Sequence, residues 1–280
     1  MSFGISISAL KHLLSFGIPF QINSLLALVK DDLMILFLGK ILPFSQIGYL
    51  GWAKKWAEVP LRLIMDSVVK VTFPAYARLQ HERSVLAKAL EKSLFFLSLF
   101  IFPATFLLIL LIQTLIFLIP KYGKWEPALT AFYLFAFASV WAAFSSPIVN
   151  ALNAIGKIKI TLLLMIVWTI LTWVLTPILV TMIGYNGVAV TAFIISFTGF
   201  LPLFIMRRMV VFHVFKPMWK PFVSSIIAVL PAFFILRVYQ NLPSVILSIV
   251  SSISIYAVLC FFFMREEIVP YFPKFFKFKW

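Results

Sequence analysis

Acidic residues are scarce in this chain. Nine Asp and Glu stand against 24 Lys and Arg in 280 residues, and charged residues of both signs make up only 12%. Soluble globular domains carry about 25% charged residues, so this balance excludes that class. Cysteine occurs once, as Cys260 inside an apolar run, which excludes an internal disulfide and any cysteine-based metal spacing. Histidine occurs three times, as His12, His81 and His213, each at the edge of an apolar segment. No HExxH pair, glycine-rich phosphate loop or nucleophile elbow is present. These absences point away from an enzyme and call for no cofactor and no metal. The N-terminus lacks a small-x-small cleavage site, so no removable signal peptide is expected.

What is present is apolar. Hydrophobic residues make up 63% of the chain, 32 of them Phe, and the mean hydropathy is +1.07. The expected fold is all-α, a polytopic helical membrane protein. A spanning helix needs about 20 mostly apolar residues. Eight segments qualify, at roughly 16–39, 47–76, 93–119, 128–153, 160–183, 187–206, 222–238 and 244–264. The connections are short, which predicts one transmembrane domain over 1–280 with no inserted soluble domain. Proline falls inside seven of the spans, where it removes a helix donor and tends to kink the helix. Bundles that enclose cavities tolerate such breaks. The segment "RRMVVFHVFKPMWKP" is hydrophobic but broken, and reads as a short amphipathic piece along the membrane surface.

Charge distribution sets the topology. With the N-terminus in the cytoplasm, the outer segments carry only Lys40, Lys121, Lys124 and Arg237. Most other cations outside the spans then fall on the cytoplasmic side, as the positive-inside rule requires. Both termini are predicted cytoplasmic, and the strong positive charge needs no nucleic-acid partner. The basic aromatic tail "FPKFFKFKW" reads as an anchor in the lipid interface.

The first two spans differ from the other six. Lys54, Glu58, Arg62, Asp66 and Lys70 form an i, i+4 series of alternating sign in the second. Each step turns by about 40°, so the series covers about 160° of a helix. Lys55 falls in the same arc. A charge at a lipid-facing helix centre costs about 2.5–3.5 kcal/mol, so six would cost roughly 15–20 kcal/mol. That exceeds the typical net stability of a fold. The arc must face water, protein or both. The first span offers Lys30, Asp31 and Asp32 near its middle. Two outcomes fit these residues. One is a hydrophilic lumen for a polar or anionic substrate; the other is an ion-pair network that only fixes helix packing. Asp31 and Asp32 are adjacent, so they point about 100° apart on a helix and make a poor metal pair.

Five stretches, in order and on span boundaries, resemble one family. "FGIPFQINSLLALVKDDLMILFLGK" is similar to its "glp…D…lG" span. "IGYLGWA" resembles its "GxYxxA" entry, with Gly48 and Tyr49 adjacent here. "VTFPAYARL" resembles "fPalsrl", "ALNAIGKIK" resembles "LnalGk.k", and "GYNGVAV" resembles "yGi.GvA". The family is the polysaccharide-export flippases of the multidrug/oligosaccharidyl-lipid/polysaccharide exporter superfamily, and the likeness is to their C-terminal half. It implies two helical lobes around a central cavity, and alternating-access transport of an undecaprenyl-diphosphate-linked oligosaccharide. Eight spans would match the seventh to fourteenth of a 14-span member. They would comprise a MATE-like C-terminal lobe at about 16–206 and two further helices at about 222–264, without the N-terminal lobe.

The resemblance also assigns roles. Arg62 would contact phosphate, with Lys30, Lys54, Lys55 and Lys70 adding attraction. Asp31, Asp32, Glu58 or Asp66 would couple transport to protons or sodium. The implied partners are the lipid-linked anionic substrate, membrane lipids and a chain supplying the first lobe; the implied location is the cytoplasmic (inner) membrane. Rival readings are a drug or cation exporter half, a lipid II flippase, a membrane-embedded transferase, and a non-transporting fragment or scaffold. A cation-rich cavity disfavours a cationic substrate, and no acid or histidine beside a sizeable loop supports a transferase.

Overall fold

A computed structural model describes residues 7–268, and all regular structure among them is helical. The basic tail expected to act as an interfacial anchor lies outside the described residues. The chain divides into two compact units. Unit 1 holds residues 1–93 and 127–212, and unit 2 holds 94–126 and 213–280.

Unit 1 opens with one long rod. Helix α1 (Ile7–Leu28) passes through a π-helical turn (Val29–Leu33) into α2 (Met34–Ile41). The π turn carries the "VKDDL" stretch. Such turns are rare inside α-helices and are frequent at functional sites. The rod ends at Leu42, which is extended (φ −102°, ψ 145°) because Pro43 follows it. Helix α3 (Phe44–Ala57) then leads into α4 (Val59–Arg78). The expected single second span is therefore broken, at Glu58. Pro60, in the first turn of α4, lacks the N–H that an unbroken helix would use there. The ladder nonetheless straddles the break: the Glu58 amide donates to the Lys54 carbonyl at 3.0 Å, and the Arg62 amide to the Glu58 carbonyl at 2.9 Å. The i, i+4 register of Lys54, Glu58 and Arg62 survives.

Helix α5 (Arg83–Leu118) begins about ten residues, nearly three turns, earlier than hydropathy alone suggests. Its charged start is helical because Leu86, Leu90 and Leu94 continue the buried stripe of Leu97 and Ile101. At 36 residues it is roughly 54 Å long, well beyond a hydrocarbon core of about 30 Å. A 3₁₀ stretch (Tyr122–Ala128) leads into α6 (Leu129–Ala154). Helix α6 is the centre of unit 1 and packs against α3, α4, α7 (Ile158–Ile183), α8 (Asn186–Phe197) and α9 (Phe200–Met209). The α7–α8 turn uses two glycines for different reasons. Gly184 sits at φ 66°, ψ −154°, a region essentially closed to other residues. A Cβ on Gly187 would lie 2.4 Å from the Leu179 backbone. The expected span at 187–206 is divided at Thr198–Gly199 into α8 and α9.

Residues 210–215 leave the helix, and Val210 is extended (φ −137°, ψ 123°). Val210, Phe212 and Val214 are buried while Val211 and Phe215 are exposed, the period-2 alternation of an extended chain. The expected amphipathic surface piece is thus two-faced, but not as a helix. Unit 2 holds the remainder of α5, α10 (Trp219–Val238), α11 (Leu242–Phe263) and the short α12 (Arg265–Ile268). Helices α10 and α11 form a close pair. Their buried faces are small: Ser225, Ala228 and Ala232 on one, Ser244, Ser248 and Ser252 on the other. Small residues let helix backbones approach closely where no hydrophobic force separates helix from lipid. An Asn241–Ser244 capping box starts α11.

Six helical stretches among the described residues are long and apolar enough to cross a membrane: 83–118, 122–154, 158–183, 186–209, 219–238 and 242–263. They match six of the eight expected spans and make this a multi-pass helical membrane protein. The charged helices over 7–41 and 44–78 are not among them.

Candidate functional site

The two charged helices meet at a cavity of about 910 Å³ within unit 1. Lys30, Asp31 and Asp32 enter it from the π turn, Lys54 and Lys55 from α3, Glu58 from the break and Arg62 from α4. Five of these form one chain of alternating sign. Lys30 Nζ lies 3.3 Å from Asp31 Oδ2, and Lys54 Nζ lies 3.5 Å from Asp31 Oδ1. Lys54 Nζ is 3.9 Å from Glu58 Oε1, and Arg62 Nη2 donates to Glu58 Oε2 at 2.8 Å. Asp31 thereby ties the π turn to α3. Glu58 uses one oxygen for each neighbouring cation. Asp32 and Lys55 line the cavity without an ion-pair partner among the described residues.

Solvent reaches this chain throughout. Side-chain exposure runs from 23% at Glu58 to 59% at Arg62. Pairs this open contribute about 0.2–1 kcal/mol each, because water screens the attraction and ordering long side chains costs entropy. The cavity carries four cations and three anions. Of the other two residues singled out from sequence, Lys70 is exposed and is not part of the cavity wall. The Asp66 side chain lies outside the described residues.

Neighbouring helices hold the charges in place. The Trp173 indole N–H donates to the Val29 carbonyl at 3.0 Å, satisfying an acceptor at the start of the π turn. Trp173 also packs with Phe37 on the small core of Met34, Leu38 and Val180. At the α3–α4 break, the Ser139 hydroxyl of α6 lies 3.1 Å from the Ala57 carbonyl and 2.9 Å from that of Ala136, and can donate to either. One turn of each charged helix is therefore pinned by a side chain from α6 or α7. Nearly two turns before the π turn, the Asn23 amide reaches the Thr161 hydroxyl at 3.5 Å, and that hydroxyl lies 2.6 Å from Asn153 Oδ1. This links α1, α7 and α6.

The rest of the wall is uncharged, and polar side chains stand in it among apolar ones such as Leu50, Phe135 and Val188. Ser145, Ser146 and Asn150 come from α6, Trp168, Thr172 and Thr176 from α7, and Thr191 and Ser196 from α8. These spans carry almost no charge, so no charge pattern marks their Ser, Thr, Asn and Trp side chains. The signal that could have found the wall is the i, i+4 spacing of Trp168, Thr172 and Thr176. Among the described residues no group of three His, Cys, Asp or Glu could hold a metal ion.

Comparison with known proteins places this geometry. Residues 1–130 match a family model described as "Polysaccharide biosynthesis protein". That match covers both charged helices. No curated protein matches the chain. Among solved structures, the lipid II flippase MurJ in an inward closed conformation is similar over 95% of this chain, with a TM-score of 0.69 and 19% identity. The chain spans 57% of the length of that structure. The resemblance to polysaccharide-export flippases carried by the sequence motifs thus has independent support from a family model and from a fold. The chain is a polytopic helical membrane protein whose first 130 residues match that family model and whose fold is similar to that of a lipid II flippase.

Proposed function

We propose that this chain is the C-terminal part of a flippase that moves an undecaprenyl-diphosphate-linked oligosaccharide across the cytoplasmic membrane. The observation that carries this is the solvent-open chain Lys30–Asp31–Lys54–Glu58–Arg62 on a cavity of about 910 Å³. Because the network is open to water, its charged groups are accessible to a ligand entering the cavity. The cavity volume lies in the range of ligand sites, roughly 300–1,000 Å³, so it takes the diphosphate and first sugars while the prenyl tail stays in lipid. Arg62 is the most exposed member of the chain and offers a planar bidentate fork to phosphate. Lys30, Lys54 and Lys55 add attraction, and Lys70 acts before the cargo enters. Asp31, Asp32, Glu58 or Asp66 exchanges these cations for a proton or sodium during the cycle. The remaining lobe comes from further sequence or a partner chain, both described termini face the cytoplasm, and no step is catalytic.

The test is glycan export from a host that depends on this flippase, with the chain combined with a first lobe of six spans. Arg62→Gln lowers export at least tenfold at equal membrane abundance. Undiminished export removes Arg62 from the phosphate site. The fold match to MurJ favours a second reading, in which lipid II is the cargo; export of lipid II but not of the oligosaccharide would select it. A drug-exporter half fits less well, because cations outnumber anions on the cavity wall.

A further inference from the structure

We infer that the uncharged wall of this cavity is a sugar-recognition subsite built around Trp168. The inference rests on the flippase reading above and names the part of the cargo that this wall takes.

No Asp, Glu, Lys or Arg from α6, α7 or α8 lines the cavity. What lines it there is one indole, several hydroxyls and an amide, set among apolar side chains such as Phe135, Val149, Val188 and Ile195. The Trp168 N–H, the only polar group of that ring, already donates to the Thr198 hydroxyl at 2.8 Å. This bond spends the donor and fixes the ring. No aromatic ring of the described residues stacks on Trp168. The indole is thus a held carbon surface with a negative π face, in contact with the cavity. Along α7, Thr172 and Thr176 follow at i+4 and i+8 on the same wall. The Thr172 hydroxyl donates to the Trp168 carbonyl at 2.8 Å, and Ser145 donates to the Ala142 carbonyl at 3.3 Å. Each keeps its oxygen lone pairs as acceptors. Asn150 adds an amide.

Ligand classes are told apart by this combination. A charged group gains nothing from a neutral wall. An alkyl chain makes no use of the acceptor lone pairs that these hydroxyls keep, nor of the Asn150 amide. A pyranose has both required faces: a patch of weakly positive C–H bonds for the indole, and a rim of hydroxyl donors for Ser, Thr and Asn. The register is suitable too. Trp173, which holds the Val29 carbonyl beside Lys30 and Asp31, lies five residues beyond Trp168. Five residues of helix rise about 7.5 Å. A diphosphate at the charged turn therefore places the attached sugars along α7 toward Trp168.

The test uses the full chain in lipid nanodiscs and two defined lipids, undecaprenyl diphosphate and undecaprenyl-diphosphate-N-acetylglucosamine. Wild type holds the glycosylated lipid at least tenfold more tightly. Trp168→Leu abolishes that preference and leaves undecaprenyl diphosphate affinity within twofold. Trp168→Phe keeps a ring face without the N–H and retains most of the preference, which separates stacking from a structural role of the hydrogen bond. Thr198→Val frees the indole and lowers the preference partway. Equal affinity of wild type for both lipids overturns the subsite, as does an equal loss of both in Trp168→Leu. The underlying reading is scored separately on the sugar-free lipid. If wild type holds undecaprenyl diphosphate no better than undecaprenol, the phosphate site fails and the subsite with it. If phosphate binding stands without a glycan preference, only the subsite fails.

Discussion

Replacing Glu58 with Gln should make the cavity bind an anionic lipid more tightly, not less. Glu58 sits between two cations, 3.9 Å from Lys54 and 2.8 Å from Arg62. The amide keeps the size of the side chain and removes its charge. Two costs compete. Losing two solvent-exposed i, i+4 pairs removes about 0.3–0.5 kcal/mol each, so stability falls by less than about 1 kcal/mol. A phosphate about 5 Å away would no longer be repelled by the carboxylate. At that distance one unit charge is worth roughly 0.8–1.7 kcal/mol for an effective dielectric between about 80 and 40. The expected gain in affinity for undecaprenyl diphosphate is therefore roughly four- to eighteenfold. The assay is binding of that lipid to the nanodisc-embedded chain at low and high salt, beside a thermal melt. The gain should shrink as salt rises, because screening weakens the removed repulsion. Adding Arg62→Gln should return affinity to near or below the wild-type value. A folded Glu58→Gln protein that binds the lipid no better than wild type would refute the idea that Glu58 guards these cations.

Four further outcomes rest on the packing. Gly187→Ala should abolish folded yield after detergent extraction, because the new methyl would meet the Leu179 backbone at 2.4 Å and no side chain can move aside. Ser248→Ala should leave the melting temperature unchanged or raise it, since the buried hydroxyl has no hydrogen-bond partner among the described residues. Ser248→Leu should lower stability by about 1–3 kcal/mol through overpacking against α10, read by the same melt. Trp173→Phe keeps the aromatic packing but strips the Val29 carbonyl of its donor, a loss of about 1–3 kcal/mol. The looser π turn should appear as faster amide hydrogen exchange over residues 29–34.

Much of the fold was readable from local signals, and the misses were local too. Apolar length located six spans, with ends within a few residues except at the starts of 83–118 and 122–154. The α3–α4 break was less plain. Proline is compatible with a helix start as well as a kink, and the break appears at Glu58, two residues before Pro60. The π turn had no signature in "VKDDL", because its extra residue is stabilised from outside by Trp173. The start of α5 reads as a charged loop until Leu86 and Leu90 are recognised as the continuation of a buried stripe.

The site divides in the same way. Alternating charge in an apolar segment is a local pattern, so Lys54, Glu58 and Arg62 stood out. The choice of Lys54 as the cross-helix partner of Asp31, with Lys55 left in the cavity wall, depends on how the rod and α3 meet. The Ser, Thr and Trp168 wall carries no such mark. Hydroxyls and indoles are ordinary in membrane helices, and they gain meaning only when three helices turn them toward one space.

By itself, the sequence determined that this chain must be a bundle of membrane helices, because so much apolar surface has no other place to go. It also determined that the charges of the first two helices must face away from lipid, because the bilayer penalises each of them separately. Which charges pair, how far the cavity extends and which uncharged side chains complete its wall were decided only by the tertiary structure. Those relations join residues more than a hundred positions apart, such as Val29 and Trp173, and no spacing within a single helix encodes them.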